Sequence, residues 1–443
     1  MHQTLFYIPY EIGGIPLFGL GILFFVWLAA LLLMVVATIK KEKGKWTSEN
    51  SATLLTLALC GGVVCWGLPC LGREGGIAIQ SYGTMMLLAI VTSVGLAAWR
   101  SRQFGFTPGD ILDISLWLCI PGIIGARAFY VVEYWDEFQT ESFVQTLAGI
   151  LNFTRGGLVV YGSLFGGLLG GLCFLRTKKL PILRMFDLLA PSMALGLAIG
   201  RIGCFLNGCC FGGICDPAHT ECGVCFPAGS PPFEQQLKDG KIQLDPDDFF
   251  YGMRLEGSLF DPTRVAEVEK DGFAQKHGLR EGDRIVQLGD QERPSQSDII
   301  EALIYKTRVE GRIDLIIERE NQSIPISWTT TASPGPTSLP VYPTQLYSSA
   351  NAFVLCIILL LYSYFRRAPL GMGVRRDGEV FVLFLALYAV GRFIIEMVRI
   401  DETGVWGSAL SISQWVSLFV FLVAIALECV LLLRKDRSDL DSV

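Results

Sequence analysis

Gly200-Arg-Ile-Gly-Cys-Phe-Leu-Asn-Gly-Cys-Cys-Phe-Gly-Gly213 closes an apolar run over residues 182–203. That run is long enough to cross a bilayer, which takes about 20 residues. Arg201 stands at its end. The glycines at 200, 203, 208, 212 and 213 mark a helix end running into a tight loop. Close approach of backbone to a ligand is one use of such glycines. Close helix packing is the other.

Working outward, similar runs lie near 17–39, 50–70, 80–99, 109–133, 157–176, 345–365, 378–399 and 411–433. With 182–203 they make about nine candidate transmembrane helices. Composition agrees: of 443 residues 51% are hydrophobic and 18% charged, with a mean hydropathy of +0.46. The net charge of −6 argues against nucleic acid as a partner, and no basic block suggests otherwise. The run at 17–39 is followed by Lys40, Lys41, Lys43 and Lys45 rather than a small-residue cleavage site, so no cleaved signal peptide is expected. Basic clusters also occur at Arg100/Arg102, Arg176–Lys179, Arg366–Arg376 and Arg434–Arg437. All five fall after alternate spans. By the positive-inside rule the C-terminus is cytoplasmic, and the N-terminus and residues 204–341 are outside. The expected fold is an all-α polytopic membrane protein with a small α/β domain inserted on the outer side.

Along the chain, residues 1–74 read as an extra helix pair and 75–233 as the first part of a membrane core. Residues 234–250 read as a polar linker, 251–332 as the inserted domain, 340–435 as the second part of the core and 436–443 as a cytoplasmic tail. Ile15-Pro-Leu-Phe-Gly19 and Ile79-Gln-Ser-Tyr-Gly83 each open a span. A partial duplication or a shared constraint explains this equally well. In the insert, Arg264–Val268, Arg284–Leu288 and Ile313–Glu318 alternate as strands do, and Ser297–Val309 reads as a helix. Val265-Ala-Glu-Val268, Gly272-Phe-Ala274, Gly278-Leu-Arg-Glu-Gly-Asp283, Ile285 and Ser297–Leu303 resemble a bacterial envelope PDZ domain. That likeness implies capture of an extended peptide or envelope protein along a sheet edge near Tyr251-Gly252-Met253. A spacer is the alternative.

Ionisable groups inside membrane helices are costly and are functional candidates by default. Arg127 lies roughly 9 Å below the outer interface at about 1.5 Å per residue. Arg392, Glu396 and Arg399 share one helical face at i, i+4 and i+7. Arginines at outer-leaflet depth suit a lipid phosphate, which guanidinium meets bidentately. Mutual salt bridges between helices are the competing reading.

Gly200–Gly212 resembles the signature of prolipoprotein diacylglyceryl transferases. Ser81-Tyr-Gly83, Gly125-Ala-Arg-Ala128, Gly156–Gly162, Tyr342-Pro-Thr-Gln-Leu-Tyr347 and Arg392–Arg399 resemble further motifs of that family, in the same order. Cys204 and Cys209 stand where the family usually has Asn and Glu, and Tyr161 and Tyr342 where many members carry histidine. The likeness implies transfer of the diacylglyceryl group of phosphatidylglycerol to the lipobox cysteine of a prolipoprotein signal peptide at the bacterial inner membrane, with glycerol phosphate leaving. It implies Arg201 and Arg392 on the phosphate and Tyr82 and Asn207 positioning the headgroup or thiol. Tyr161 takes the place of a histidine, and Glu396 is one of several candidate bases. It further implies that Arg127, Gly203, Cys204, Gly212, Gln345 and Arg399 line the substrate pocket. No cofactor is implied.

Six of the 13 cysteines lie between 204 and 225: Cys204, Cys209, Cys210, Cys215, Cys222 and Cys225. Disulfides, a thiolate-rich metal site near His219 and redox-active thiols are all open readings. The site assignment itself includes no metal. An intramembrane metalloprotease is excluded by the lack of HExxH, with His2, His219 and His277 all outside the spans. A membrane thiol oxidoreductase using Cys222 and Cys225 and a non-catalytic envelope scaffold are the alternative functions.

Overall fold

Six helices among the described residues are long and apolar enough to cross a membrane: Ser81–Phe104, Pro108–Glu133, Val160–Thr177, Ile182–Asn207, Thr344–Phe365 and Ile412–Leu433. The computed structural model describes residues 4–8, 10–12, 15–17, 21–41, 61, 77–139, 142–151, 157, 159–245, 248–258, 261–289, 291–306, 312–320, 322–329, 335–365, 376–399, 408 and 410–440. In chain order the helices are α1 (Ile22–Lys41), α2 (Ser81–Ser101), α3 (Pro108–Glu133), α4 (Phe143–Leu151), α5 (Val160–Thr177), α6 (Ile182–Asn207), α7 (Pro231–Lys238), α8 (Gln296–Glu301), α9 (Thr344–Phe365), α10 (Glu379–Glu396) and α11 (Ile412–Leu440). The other helical segments among the described residues are six residues or shorter. The six spans coincide with expected ones to within a few residues. At the other expected positions, α1 covers most of 17–39, and α10 covers most of 378–399 but carries Glu379, Arg392 and Glu396. The span expected at 50–70 lies outside the described residues except for Gly61. Leu112, Leu116, Ile120, Ile123 and Ile124 of α3 are exposed. An apolar surface of this kind on a helix is what hydrocarbon solvates.

The chain divides into two compact units, Met1–Thr84 with Phe226–Ser338 and Met85–Cys225 with Leu339–Val443. In the first unit, β1 (Thr4–Ile8) pairs antiparallel with β4 (Ile77–Gln80), and β2 (Glu11–Ile12) with β3 (Ile15–Pro16). Ile15–Gly19 therefore does not open the first helix; α1 starts at Ile22, after the β2–β3 hairpin. The insert holds an antiparallel sheet in the order β10 (Gln322–Thr329), β9 (Arg312–Arg319), β7 (Arg284–Leu288), β6 (Asp261–Val268) and β5 (Met253–Ser258). A short β8 (Gln291–Glu292) pairs with β7. Alternation puts Leu255, Val265, Ile285, Leu315 and Ile317 in its core, and a break in register after Ile285 brings Leu288 in with them. Asp283 is buried and accepts from Arg319 at 2.7 Å, so its charge is paired. A capping box of Ser295 and Asp298 starts α8, and a wider turn carries it to Lys306.

The stretch 234–250 is not a bare linker. It begins inside α7, and Leu237, Ile242, Leu244 and Phe250 all join the sheet domain's core. Its polar composition hid a set of apolar anchors spaced too irregularly to read as an element.

In the second unit α3 and α5 touch backbone to backbone. Gly125 stacks on Gly162 and Gly166, and Gly170 on Trp117. Only glycine permits such an approach. A Cβ on Gly162 runs into the Gly125 carbonyl. Gly162→Ala is therefore expected to destabilise the α3–α5 pair by about 1–3 kcal/mol, as overpacking does. A lowered unfolding midpoint of the detergent-purified protein checks it, and an unchanged midpoint contradicts the packing.

The buried carboxylate of Asp187 on α6 caps α10 from outside. It accepts from the N–H of Gly378 at 2.7 Å and of Phe381 at 2.9 Å. Two of the four orphan donors of that helix start are thus satisfied. Buried Arg100 ties α2 to α6 and α9, donating to the Leu188 carbonyl at 3.0 Å and to Ser363 Oγ at 2.9 Å. These contacts fix α6, α9 and α10, the three helices that carry the site.

Candidate active site

Helix α6 runs four residues further than hydropathy implied. Gly203 is buried within it, and Cys204–Asn207 continue the turn. The stop is Gly208, with φ 79°, whose N–H reaches the Cys204 carbonyl at 2.9 Å. A glycine in the left-handed region is the common helix terminator. The Cys209 N–H returns to the same carbonyl at 3.1 Å. The chain thereby folds back, and Cys209 and Cys210 come to lie beside Cys204.

The start of α9 holds this loop. Gln345 Nε2 donates to the Cys209 carbonyl at 2.7 Å and Thr344 Oγ1 to the Cys210 carbonyl at 2.8 Å. Both side chains are buried. The Gly212 N–H bonds the Tyr342 carbonyl at 2.9 Å, and a Cβ at Gly212 would meet Tyr342 and Thr344 at 2.8 Å. Gly213 N–H bonds the Val398 carbonyl at 3.2 Å, which joins the loop to the end of α10.

There the charges gather. Glu396 Oε2 lies 2.6 Å from Arg392 Nη1 and 3.6 Å from Arg399 Nη1. Ser411 Oγ donates to Glu396 Oε1 at 3.4 Å, and Arg392 Nη2 donates to Ser413 Oγ at 3.0 Å. Arg201 and Arg399 lie within electrostatic reach of both Arg392 and Cys210. Hydrogen bonds from the Cys204 and Cys209 thiols, then those two guanidinium charges, hold the Cys210 thiol well below the usual thiol range. Asn207 hydrogen-bonds Cys209. Burial pushes the Cys215 thiol up. All six cysteines of the loop are free thiols.

Arg201, Gly203, Cys204, Asn207, Gly212, Gln345, Arg392, Glu396 and Arg399 thus meet around one loop. Arg127 is engaged on the α3–α5 pair. It donates to the carbonyls of Gly149, Ile150 and Gly157 at 2.9–3.0 Å, with its guanidinium over Tyr130 and Phe138. It braces the end of α4 and Gly157, ahead of α5. Tyr161 is 48% exposed in the first turn of α5. Tyr82 opens α2 and belongs to the first compact unit. Sequence reasoning missed Thr344, Ser411 and Ser413. Thr344 lay inside a recognised motif; the serines give no signal before α11 is packed on α10.

The arrangement offers an anion three guanidinium groups beside a cluster of thiols, with one carboxylate orienting two of the cations. Residues 69–430 match the family described as prolipoprotein diacylglyceryl transferase. The phosphatidylglycerol-prolipoprotein diacylglyceryl transferase of Rhodopirellula baltica is 31% identical over 95% of this chain and 87% of its own length. Proteins of that name from Clostridium tetani, and numbered 2 from Clostridium perfringens, are 26% and 25% identical over 81% of this chain and 95% and 93% of theirs. The match spans most of the sequence and takes in every part of the loop site, so the chain belongs to the prolipoprotein diacylglyceryl transferase family.

Proposed function

We propose that this chain is a membrane enzyme that moves the diacylglyceryl group of phosphatidylglycerol onto the cysteine thiol of a prolipoprotein. The observation that carries the reading is the convergence of Arg201, Arg392 and Arg399 beside the loop after α6. A glycerol phosphate leaving group gains negative charge as its ester bond breaks, and preorganised cations stabilise charge where it develops. Arg201 and Arg392 face the phosphate. Glu396 is committed to two arginines and Ser411, so it orients the guanidinium groups rather than taking the thiol proton. Asn207 and Gln345 shape the thiol side. Tyr161 and Arg127 belong to the walls of the lipid path.

The protein sits in the inner membrane with residues 204–341 outside, a reading that the five basic clusters support. Its sheet domain is PDZ-like and takes a peptide along the β5 edge. Gln296 Nε2 donates to the Leu255 carbonyl of β5 at 2.8 Å, so an incoming strand must displace that side chain.

The purified protein is expected to release glycerol phosphate from phosphatidylglycerol only when a lipobox peptide carrying cysteine is present. No release, with a working control enzyme alongside, defeats the proposal. Release is expected to survive replacement of Cys222 and Cys225 by serine, because the transfer gives those two thiols no role.

A further inference from the structure

Three thiols meet where α6 ends. The sulfurs of Cys204, Cys209 and Cys210 all lie within 4.8 Å of one another. Cys210 has φ 59°. A residue with a side chain in that region is strained by about 1–3 kcal/mol and persists where its surroundings over-determine it. Here Thr344 and Gln345 hold the two carbonyls that fix the turn. Gln345 Oε1 is buried with no hydrogen-bond partner among the described residues. An orphaned acceptor of this kind, on the side chain that holds the Cys209 carbonyl, calls for a donor. Arg201 and Arg399 supply positive charge to the cluster. The mechanism above gives these thiols no role, and it leaves open what makes the incoming thiol a thiolate.

We infer that Cys204, Cys209 and Cys210 bind a thiophilic divalent metal, zinc(II) by donor type, whose fourth position takes the cysteine sulfur of the incoming peptide. The inference rests on the transfer reading above. Three protein ligands with an open fourth position is the pattern of catalytic rather than structural zinc. A zinc–sulfur bond of about 2.3 Å sets tetrahedral sulfurs roughly 3.8 Å apart, so the trio need close by only about 1 Å. Coordination deprotonates a thiol outright, and the thiolate is the nucleophile. The peptide thiol releases its proton to solvent as it binds. Its sulfur then attacks the glycerol carbon that bears the phosphate ester. A carbon–sulfur bond forms, the carbon–oxygen bond breaks, and the electron pair leaves on the phosphate oxygen facing Arg201 and Arg392. No electron transfer is involved.

The test uses the full chain purified in detergent under reducing conditions, exposed to zinc(II) and dialysed, with metal measured by mass spectrometry. One zinc per chain is expected. Cys204→Ser and Cys209→Ser should lose it, and Cys429→Ser should keep it. The wild-type protein stripped with a chelator and reloaded with cobalt(II) gives a second measurement that survives misfolding of the variants. Its thiolate-to-cobalt absorption should change with a lipobox peptide and not with the serine analogue. Failure to retain zinc, equal zinc in the serine variants, a disulfide within the trio, or a cobalt spectrum indifferent to the peptide thiol overturns the inference. Glycerol phosphate release by the stripped enzyme overturns the metal's role and leaves transfer standing. Zinc and thiol binding without any release supports the site and defeats the transfer reading.

Discussion

Arg201→Ala is expected to lower the initial rate of glycerol phosphate release about 100- to 1000-fold, the usual effect of deleting one preorganised donor at developing charge. Arg201 lies in the last two turns of α6, half-buried, and its charge reaches Cys210 and Arg392. Its removal leaves α6 intact, because Gly208 ends that helix and buried Asp187 and Arg100 hold it from the other end. Folded yield should therefore stay near wild type. Arg201→Lys keeps the charge and loses the planar fork, so it should recover only part of the rate. A rate unchanged in Arg201→Ala, or a loss explained by unfolding, removes Arg201 from the chemistry. Complementation of a transferase-depleted strain reads the same contrast in cells.

Glu396→Ala should unfold or strongly destabilise the second unit. The carboxylate is 2% exposed and lies between Arg392 and Arg399, whose side chains are 16% and 8% exposed. Deleting it leaves two buried cations facing each other. Breaking a buried pair by removing one partner costs about 3–5 kcal/mol. Replacing both partners by apolar groups of similar size is often neutral. Arg392→Met with Glu396→Leu and Arg399→Met, which removes the whole buried triad, should then recover much of the stability while transfer stays lost, since Arg392 is assigned to the phosphate. The denaturation midpoint and the release assay, measured on the same preparations, separate the two effects. If Glu396→Ala is as stable as wild type and only slower, the carboxylate acts in the chemistry rather than in holding the arginines.

Much of the membrane part was legible before any coordinates. Hydropathy found α2, α3, α5, α6, α9 and α11, because a helix in hydrocarbon must satisfy its own backbone and show apolar side chains all round. Alternation found β6, β7 and β9. Some ends were misplaced. The glycines from 200 to 213 mark a helix end, and of these Gly208, in the left-handed region, stops the helix, four residues beyond the expected span. Glycine inside a membrane helix can serve packing instead, as on the α3–α5 face. The linker at 234–250 was misread because polar composition reports average exposure and not the few apolar side chains that anchor a segment.

The sequence by itself determined that the chain is a multi-span membrane protein, which residues carry charge into the apolar runs, and that its motifs run in a recognisable order. Periodicity is a local property, and charge within an apolar run is visible wherever it occurs. Tertiary structure alone decided that Arg127 braces the backbone before α5, and that Glu396 is shared between two arginines. It also decided that Gln345 holds the Cys209 carbonyl across 136 residues of sequence. The three thiols likewise share one point in space only because a left-handed turn folds Cys209 and Cys210 back onto Cys204. Such meetings depend on how helices pack and where a turn changes hand, and neither leaves a period in the sequence.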